Sequence, residues 1–179
     1  MEAQKLARSI FKIAHLTGEF KLRSGLKSRE YFDKYRFESQ PQLLRAIAEA
    51  MQPLIPNGTQ ALAGLEMGGI PVATALSLRT GLPIVFVRKR AKDYGTCRLA
   101  EGLESLQGLH VCLIEDVITT GGQVVLSAQD LRSEGAIVEY CLCVISRQQG
   151  GEESLLKAGL NLVCLFTQAQ LAAAAAADI

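Results

Sequence analysis

The sequence predicts an α/β fold, a central parallel sheet flanked by helices. Three observations carry it: from residue 61 onward strand-like apolar runs alternate with helical ones, glycines punctuate the junctions, and 49% of the 179 residues are hydrophobic. Strands separated by helices pair in parallel through right-handed crossovers. A chain of this length and hydrophobic fraction can bury a substantial core, and no long linker divides it, so one domain is expected over residues 1–179.

Each element follows from its residues. Residues 2–16 have helical apolar spacing, and residues 41–51 open with Pro41 in a first-turn position and continue in good helix formers. Between these helices, residues 19–37 mix aromatic and charged side chains, as expected of a partly exposed hairpin or cap. Residues 61–65 form a strand, 70–80 a helix stopped by Gly81, and 82–87 a strand. A polar loop over 90–108 leads to a strand at 109–114, and a helix over 122–134 ends at Gly135. Residues 137–145 and 161–166 are further strands with a helix over 152–158 between them. The run from Ala172 to Ala177 is low in complexity, a terminal helix or a frayed tail to which no chemistry is assigned.

Charge and cysteine usage exclude some classes. With 19 basic and 18 acidic residues the formal net charge is +1, so no general polyanion-binding surface is implied and nucleic acid is not an expected partner. The first residues, Met1-Glu-Ala-Gln-Lys-Leu6, lack the apolar core of a signal peptide, and no apolar run approaches the roughly 18 residues of a membrane span. A cytoplasmic location is expected. Cysteines 97, 112, 141, 143 and 164 are odd in number, and four lie in apolar strand-like runs, which suits buried free thiols. Cys141 and Cys143 would share one strand face, but no further Cys-His cluster completes a metal site around them.

The chemistry concentrates between His110 and Gln123. Val111 to Ile114 is a short apolar run of the kind found in buried parallel strands, which places Glu115 and Asp116 at its C-terminal end, where open α/β sheets bind ligands. Thr119, Thr120, Gly121 and Gly122 then offer hydroxyls and unhindered backbone N–H groups just before a helix N-terminus. A phosphate fits that loop. Neither Gly-x-x-x-x-Gly-Lys-[Ser/Thr] nor Gly-x-Gly-x-x-Gly occurs, so a nucleotide P-loop and a dinucleotide fingerprint are excluded as its explanation.

Three more segments carry candidate function. Phe86-Val-Arg-Lys-Arg-Ala-Lys-Asp-Tyr-Gly-Thr96 sends cationic side chains out of a strand end into a loop that can close over a polyphosphate, although by composition alone it is also an ordinary solvated basic loop. Phe20-Lys-Leu-Arg-Ser-Gly-Leu-Lys-Ser-Arg-Glu-Tyr-Phe-Asp33 pairs cations with Tyr31 and Phe32, which could equally be core residues. Val144-Ile-Ser-Arg-Gln-Gln-Gly-Gly151 puts Arg147 just past a strand. Gly64-Leu-Glu-Met-Gly-Gly-Ile-Pro71 adds a glycine turn before a helix, which on its own is weak.

The acid pair and the loop after it resemble the 5-phosphoribosyl 1-pyrophosphate (PRPP) signature of type I phosphoribosyltransferases, two acids followed by V-[I/L]-T-T-G-G. The basic segment resembles the Arg-Lys-x-x-Lys-x-[His/Tyr]-Gly loop of the orotate phosphoribosyltransferases. The segment from Phe20 is similar to that family's [Lys/Arg]-Ser-Gly-x-x-Ser-x-x-Tyr-Phe element, and Gly64 to Pro71 looks like its loop before the first core helix. The resemblance runs from about Phe20 to Gly151. It implies a type I phosphoribosyltransferase-like parallel sheet flanked by helices, with a small hood from about residues 18–40 and 147–179.

The resemblance also implies roles. Residues Val117, Ile118, Thr119, Thr120, Gly121, Gly122 and Gln123 would hold the 5-phosphate of PRPP, with Glu115 and Asp116 on the ribose hydroxyls. Arg88, Lys89, Lys92 and Tyr94 would complete the PRPP set, and Lys92, Glu115 and Asp116 would be catalytic. Tyr94 stands where some members have histidine, and Arg23 where some have lysine, so neither position's detailed contact transfers. Orotate would meet Arg23, Tyr31, Phe32, Thr119 and Arg147, the last gripping the carboxylate that distinguishes orotate from uracil. Mg²⁺ would be held mainly by PRPP near Glu115 and Asp116, with no direct protein ligand assigned. The implied partners are the small molecules orotate and PRPP and a second copy of the chain, with the 90–108 loop shared across a homodimer. A purine phosphoribosyltransferase would share the PRPP loop but have no use for Arg147. A PRPP-binding transcriptional regulator would need a basic helix-turn-helix before Gln40, where the chain has one helix and the orotate-type element.

Overall fold

The computed structural model describes residues 1–21, 25, 27–90 and 99–177. Six strands form one sheet in the order β5-β4-β3-β6-β7-β8: β3 (Ala61–Leu65), β4 (Ile84–Val87), β5 (Ala100–Glu101), β6 (His110–Ile118), β7 (Ile137–Ser146) and β8 (Asn161–Thr167). All neighbours pair in parallel except β4 with β5. Helices α1 (Ala3–Ala14), α3 (Pro41–Met51), α4 (Gly69–Thr80) and α7 (Gln168–Ala176) contribute to the core on one face, and α5 (Gly122–Ser133) and α6 (Gly151–Lys157) to that on the other. Strands covered on both faces must be apolar throughout, and β3, Ala-Leu-Ala-Gly-Leu, is buried at every position.

The expected elements recur with small shifts, and three differences matter. First, β6 does not stop at Ile114: Glu115 pairs in register with Cys143, Val117 with Ile145 and Ile118 with Ser146, so the acidic pair lies within the strand and not beyond its end. The backbone hydrogen bonds offered by β7 extend the strand past the point where its apolar pattern breaks. Second, the 90–108 excursion contains β5, two residues that pair antiparallel with Phe86 and Val87. Third, the alanine run is a terminal helix and not a frayed tail, and that helix starts ahead of the run. Thr167 caps α7 by accepting from the Gln170 N–H while the Gln170 side chain returns to the Thr167 N–H, so the helix begins at Gln168. Leu171 and Ala174 are buried, and Arg8 Nε on α1 donates to Ala174 O at 3.2 Å.

Ahead of the sheet, β1 (His15–Lys21) and β2 (Lys27–Phe32) form an antiparallel hairpin of their own, followed by the short α2 (Tyr35–Glu38). Opposite faces of β2 separate its two aromatics: Tyr31 is exposed and stacks on Phe20 with ring centroids 5.4 Å apart, whereas Phe32 packs against the main core. At the far side, Arg132 ends α5 by donating to Ala158 O at 2.8 Å, Gly159 O at 3.0 Å and, through Nε, Val138 O at 3.1 Å, which ties α5, β7 and the turn after α6 together. Cys112, Cys141 and Cys143 are buried free thiols, and burial pushes Cys112 up to about 12. No helix among the described residues is long and apolar enough to cross a membrane.

Candidate active site

The strand order places a switch point between β3 and β6: the chain leaves β3 toward β4 on one side, then returns to lay β6 on the other. Loops beyond the carboxyl ends of two such strands diverge and open a crevice. The crevice here is a cavity of about 410 Å³ lined by Glu66 and Met67 after β3, Lys89 after β4, Glu115 and residues 117–124 from β6 onward, and Lys34 and Tyr35 from α2 and its approach. Of the expected PRPP residues, Lys89, Glu115 and the whole 117–123 run meet in one place.

The turn that ends β6 is shaped by its glycines. Gly121 has φ of 76°, a left-handed conformation that side chains rarely adopt, and a Cβ there would lie 2.3 Å from Leu155 Cδ1. Gly122 has no heavy atom within 4 Å of its would-be Cβ, leaving space where α5 presents its first N–H groups. Hydroxyls, free N–H groups and open space at a helix N-terminus suit a phosphate. Gly68 and Gly69 do something else: a Cβ on Gly68 would lie 1.6 Å from Asp116 Oδ2, and one on Gly69 2.2 Å from Ile114 O. Those glycines let the N-terminus of α4 close onto β6.

The two acids divide. Successive strand residues face opposite sides of a sheet, so Glu115 lines the cavity while Asp116 is fully buried behind it. Lys34 Nζ donates to Asp116 Oδ1 at 2.9 Å and lies 2.7 Å from Oδ2, and Oδ1 also accepts from the Val117 N–H at 2.6 Å. Burial alone would raise the Asp116 carboxyl, but the neighbouring Glu115 and Glu38 carboxyls, as proton donors, and the Lys34 charge outweigh it and hold it below its ordinary value. Glu115 is raised well above the usual range, first by burial and then by its hydrogen bond to Asp116 and that group's charge. Burial works against the Lys34 ammonium, yet the Asp116 charge beside it more than compensates and raises its pKa. Among the described residues no group of three or more His, Cys, Asp or Glu side chains is arranged to hold a metal ion.

The remaining expected residues are spread around this centre. Arg88 donates through Nε to Arg90 O at 3.3 Å and through its N–H to Leu99 O at 3.0 Å. Lys89 is fixed through its backbone: its N–H donates to Glu66 Oε2 at 2.8 Å. Arg147 donates its N–H to Ile118 O at 2.9 Å, which sets it beside the phosphate turn, and its Nε to Gln168 Oε1 at 2.8 Å. Tyr31 is exposed and stacked on Phe20, while Phe32 is engaged in the core. Arg23, Lys92 and Tyr94 lie outside the described residues. Lys34, Tyr35, Glu38 and Glu66 were absent from the expected set. The one sequence signal for the first and third was their spacing, Lys34 and Glu38 standing four apart and so on one side of a helical turn.

A turn suited to an anion and an acid lining the same cavity at the switch point are the parts that a site for transferring a phosphorylated sugar requires. Residues 35–161 match the phosphoribosyl transferase domain family. An orotate phosphoribosyltransferase of a Nocardioides species is 51% identical over 169 residues, 94% of each chain. Among solved structures, the Mycobacterium tuberculosis orotate phosphoribosyltransferase superposes with a TM-score of 0.85 at 29% identity, covering 94% of this chain and 98% of that one. The same enzyme in complex with PRPP gives 0.81 at 25% identity, covering 95% and 98%. The chain belongs to the orotate phosphoribosyltransferase family.

Proposed function

We propose that the protein transfers the 5-phosphoribosyl group from PRPP to orotate, giving orotidine 5-monophosphate and pyrophosphate in pyrimidine (UMP) biosynthesis. The observation that carries it is the cavity at the β3–β6 switch point, which gathers Glu115, Lys89 and the phosphate turn in one place. Transfer proceeds with inversion through an oxocarbenium-like ribose. Residues 117–123 anchor the 5-phosphate and thereby fix the sugar, so that its remaining atoms fall against Glu115. Glu115 faces the ribose: positive charge developing there favours its ionised form against the burial that raises its pKa, so the carboxylate stabilises the ribosyl cation as the bond to pyrophosphate lengthens. Arg88, Lys89 and Lys92 receive the charge that accumulates on the departing oxygens, and the 90–108 loop excludes water that would hydrolyse the sugar. Arg147 and Tyr31 hold orotate, which carries its own negative charge and needs little proton chemistry from the protein.

Mg²⁺ bound to PRPP would neutralise the pyrophosphate as it leaves. The described side chains fit a cation carried in by the substrate: two carboxyls, Glu66 and Glu115, line the cavity and Asp116 is committed to Lys34, so most of the cation's ligands would come from PRPP and water. A homodimer sharing the 90–108 loop and a cytoplasmic setting belong to the same proposal, the second in keeping with the free thiols of Cys112, Cys141 and Cys143. The test is the loss of orotate absorbance on adding PRPP and Mg²⁺, run beside adenine, hypoxanthine and uracil. Orotate alone should be consumed rapidly. Preference for a purine would replace this reading with a purine phosphoribosyltransferase.

A further inference from the structure

Glu38 has no part in the chemistry above, yet it is only 7% exposed and sits behind the active centre on α2. Its Oε1 and the Oδ2 of Asp116 are both buried without an aligned hydrogen-bond partner in the described structure. Both crowd the same side of Gly68, where a Cβ would lie 3.0 Å from Glu38 Oε1 and 1.6 Å from Asp116 Oδ2. Two carboxylates in so dry a place repel, and each pays for lost hydration, so a proton must settle on one of them. Lys34 decides which: its contacts at 2.9 and 2.7 Å keep Asp116 ionised, leaving the proton to Glu38.

We propose that Glu38 is a positioning residue for ribosyl transfer, a neutral carboxyl that donates to Asp116 Oδ2 and, with Lys34, locks that carboxylate behind Glu115. The inference rests on the proposed reaction at Glu115. Asp116 in turn accepts from the Val117 N–H, at the start of the segment that becomes the phosphate turn, so a loosened Asp116 shifts Glu115 on one side and the turn on the other. The charged groups around Glu38 are Asp116 from β6 and Lys34 and Asp33 ahead of α2. Burial, then the hydrogen bond to Asp116 and its charge, raise Glu38 to about 9 against the opposing pull of Lys34, so it holds its proton at neutral pH.

Orotate consumption and thermal unfolding of the wild type, Glu38→Gln and Glu38→Leu test this. The glutamine N–H replaces the carboxyl donor, so Glu38→Gln should keep kcat near the wild-type value. Leucine matches the size without a donor, so Glu38→Leu should remain folded at the assay temperature with a lowered Tm, while kcat falls about 10- to 100-fold, the loss of one hydrogen bond to a charged group. The wild-type kcat should also decline near pH 9 as Glu38 ionises, and Glu38→Gln should lack that decline. Full kcat in Glu38→Leu, or the same alkaline decline in Glu38→Gln, overturns the inference; if Glu38→Leu does not fold, the pH profile of Glu38→Gln decides alone. A wild type inert toward orotate overturns the proposed reaction and this inference together, whereas an active wild type with a fully active Glu38→Leu overturns the inference only.

Discussion

Lys34 and Asp116, 82 residues apart in sequence, meet through Nζ–Oδ1 and Nζ–Oδ2 distances of 2.9 and 2.7 Å, with the carboxylate fully buried and the lysine side chain 31% exposed. The ammonium is thus reached from the cavity while its counter-ion is not. One residue links substrate space to the charge held behind the sheet.

Replacing Lys34 with methionine keeps the aliphatic stem and removes the charge. An uncompensated buried carboxylate should cost about 3 kcal/mol near neutral pH, the low end for breaking a buried pair because the lysine is partly exposed. The folded pKa of Asp116 is depressed, so its contribution is present above the unfolded value of about 3.9 and lost as pH falls through the folded value. The stability gap between wild type and variant should therefore narrow as pH falls below about 4 and close once the pH is below the depressed folded value. Urea unfolding at neutral and acid pH measures it, and a gap unchanged in acid would mean that Lys34 contributes packing instead of charge.

Gly68 and Gly122 predict opposite outcomes for the same change. Gly68 has φ of −72°, which alanine adopts without strain, so only space opposes it: the new Cβ would lie 1.6 Å from Asp116 Oδ2. Gly68→Ala should lower stability by about 1–3 kcal/mol and abolish most activity by displacing Asp116. Gly122→Ala meets nothing within 4 Å and should leave Tm unchanged while raising the KM for PRPP, since the methyl narrows the phosphate turn. Equal loss of Tm in both would refute the assignment of Gly122 to an open anion site.

The chain itself shows the sheet and the phosphate turn because both rest on local order: apolar runs separated by helices, then acids, hydroxyls and glycines in sequence. What it does not show depends on distance and partners. Glu115 and Asp116 look equivalent side by side, and only the strand's continuation to Ile118, imposed by pairing with β7, turns one into the cavity and the other away. Lys34 and Glu38 lie at the end of a mixed, charged segment whose one signal for them is a four-residue spacing, and their meaning appears when that segment folds against β6. Similarly, the alanine run carries no amphipathic pattern, yet the Thr167–Gln170 capping box and the contact with α1 make it part of the core.

The proposed sharing of the 90–108 loop across a homodimer has a kinetic test. Lys92→Ala and Glu115→Gln should each inactivate the homodimer. In a mixed dimer one site receives an intact Lys92 from one copy and an intact Glu115 from the other. Random two-fold assembly makes half of the dimers mixed, each with one sound site, so co-refolding equal amounts should restore roughly a quarter of wild-type activity. A loop serving only its own chain predicts no recovery from verified mixed dimers.

In the proposed orotate site Arg147 would tie base recognition to the C-terminal helix, because Gln168, the first residue of α7, accepts from its Nε at 2.8 Å. Arg147→Ala removes the partner of the orotate carboxylate and should weaken orotate binding by about 1.5–3 kcal/mol, with PRPP affinity little changed. Gln168→Ala leaves the guanidinium present but unsteered, so a smaller loss of about 0.5–1.5 kcal/mol is expected, confined again to orotate. Thr167→Ala, one residue earlier, removes the cap and should cost about 1 kcal/mol of stability without a comparable change in orotate affinity. Calorimetric titration of orotate into the three variants, beside their thermal unfolding, separates these effects. Unchanged orotate affinity in Arg147→Ala would place the base pocket elsewhere, and an affinity loss in Thr167→Ala matching that in Gln168→Ala would show that helix α7 acts through its stability and not through the Arg147 hydrogen bond.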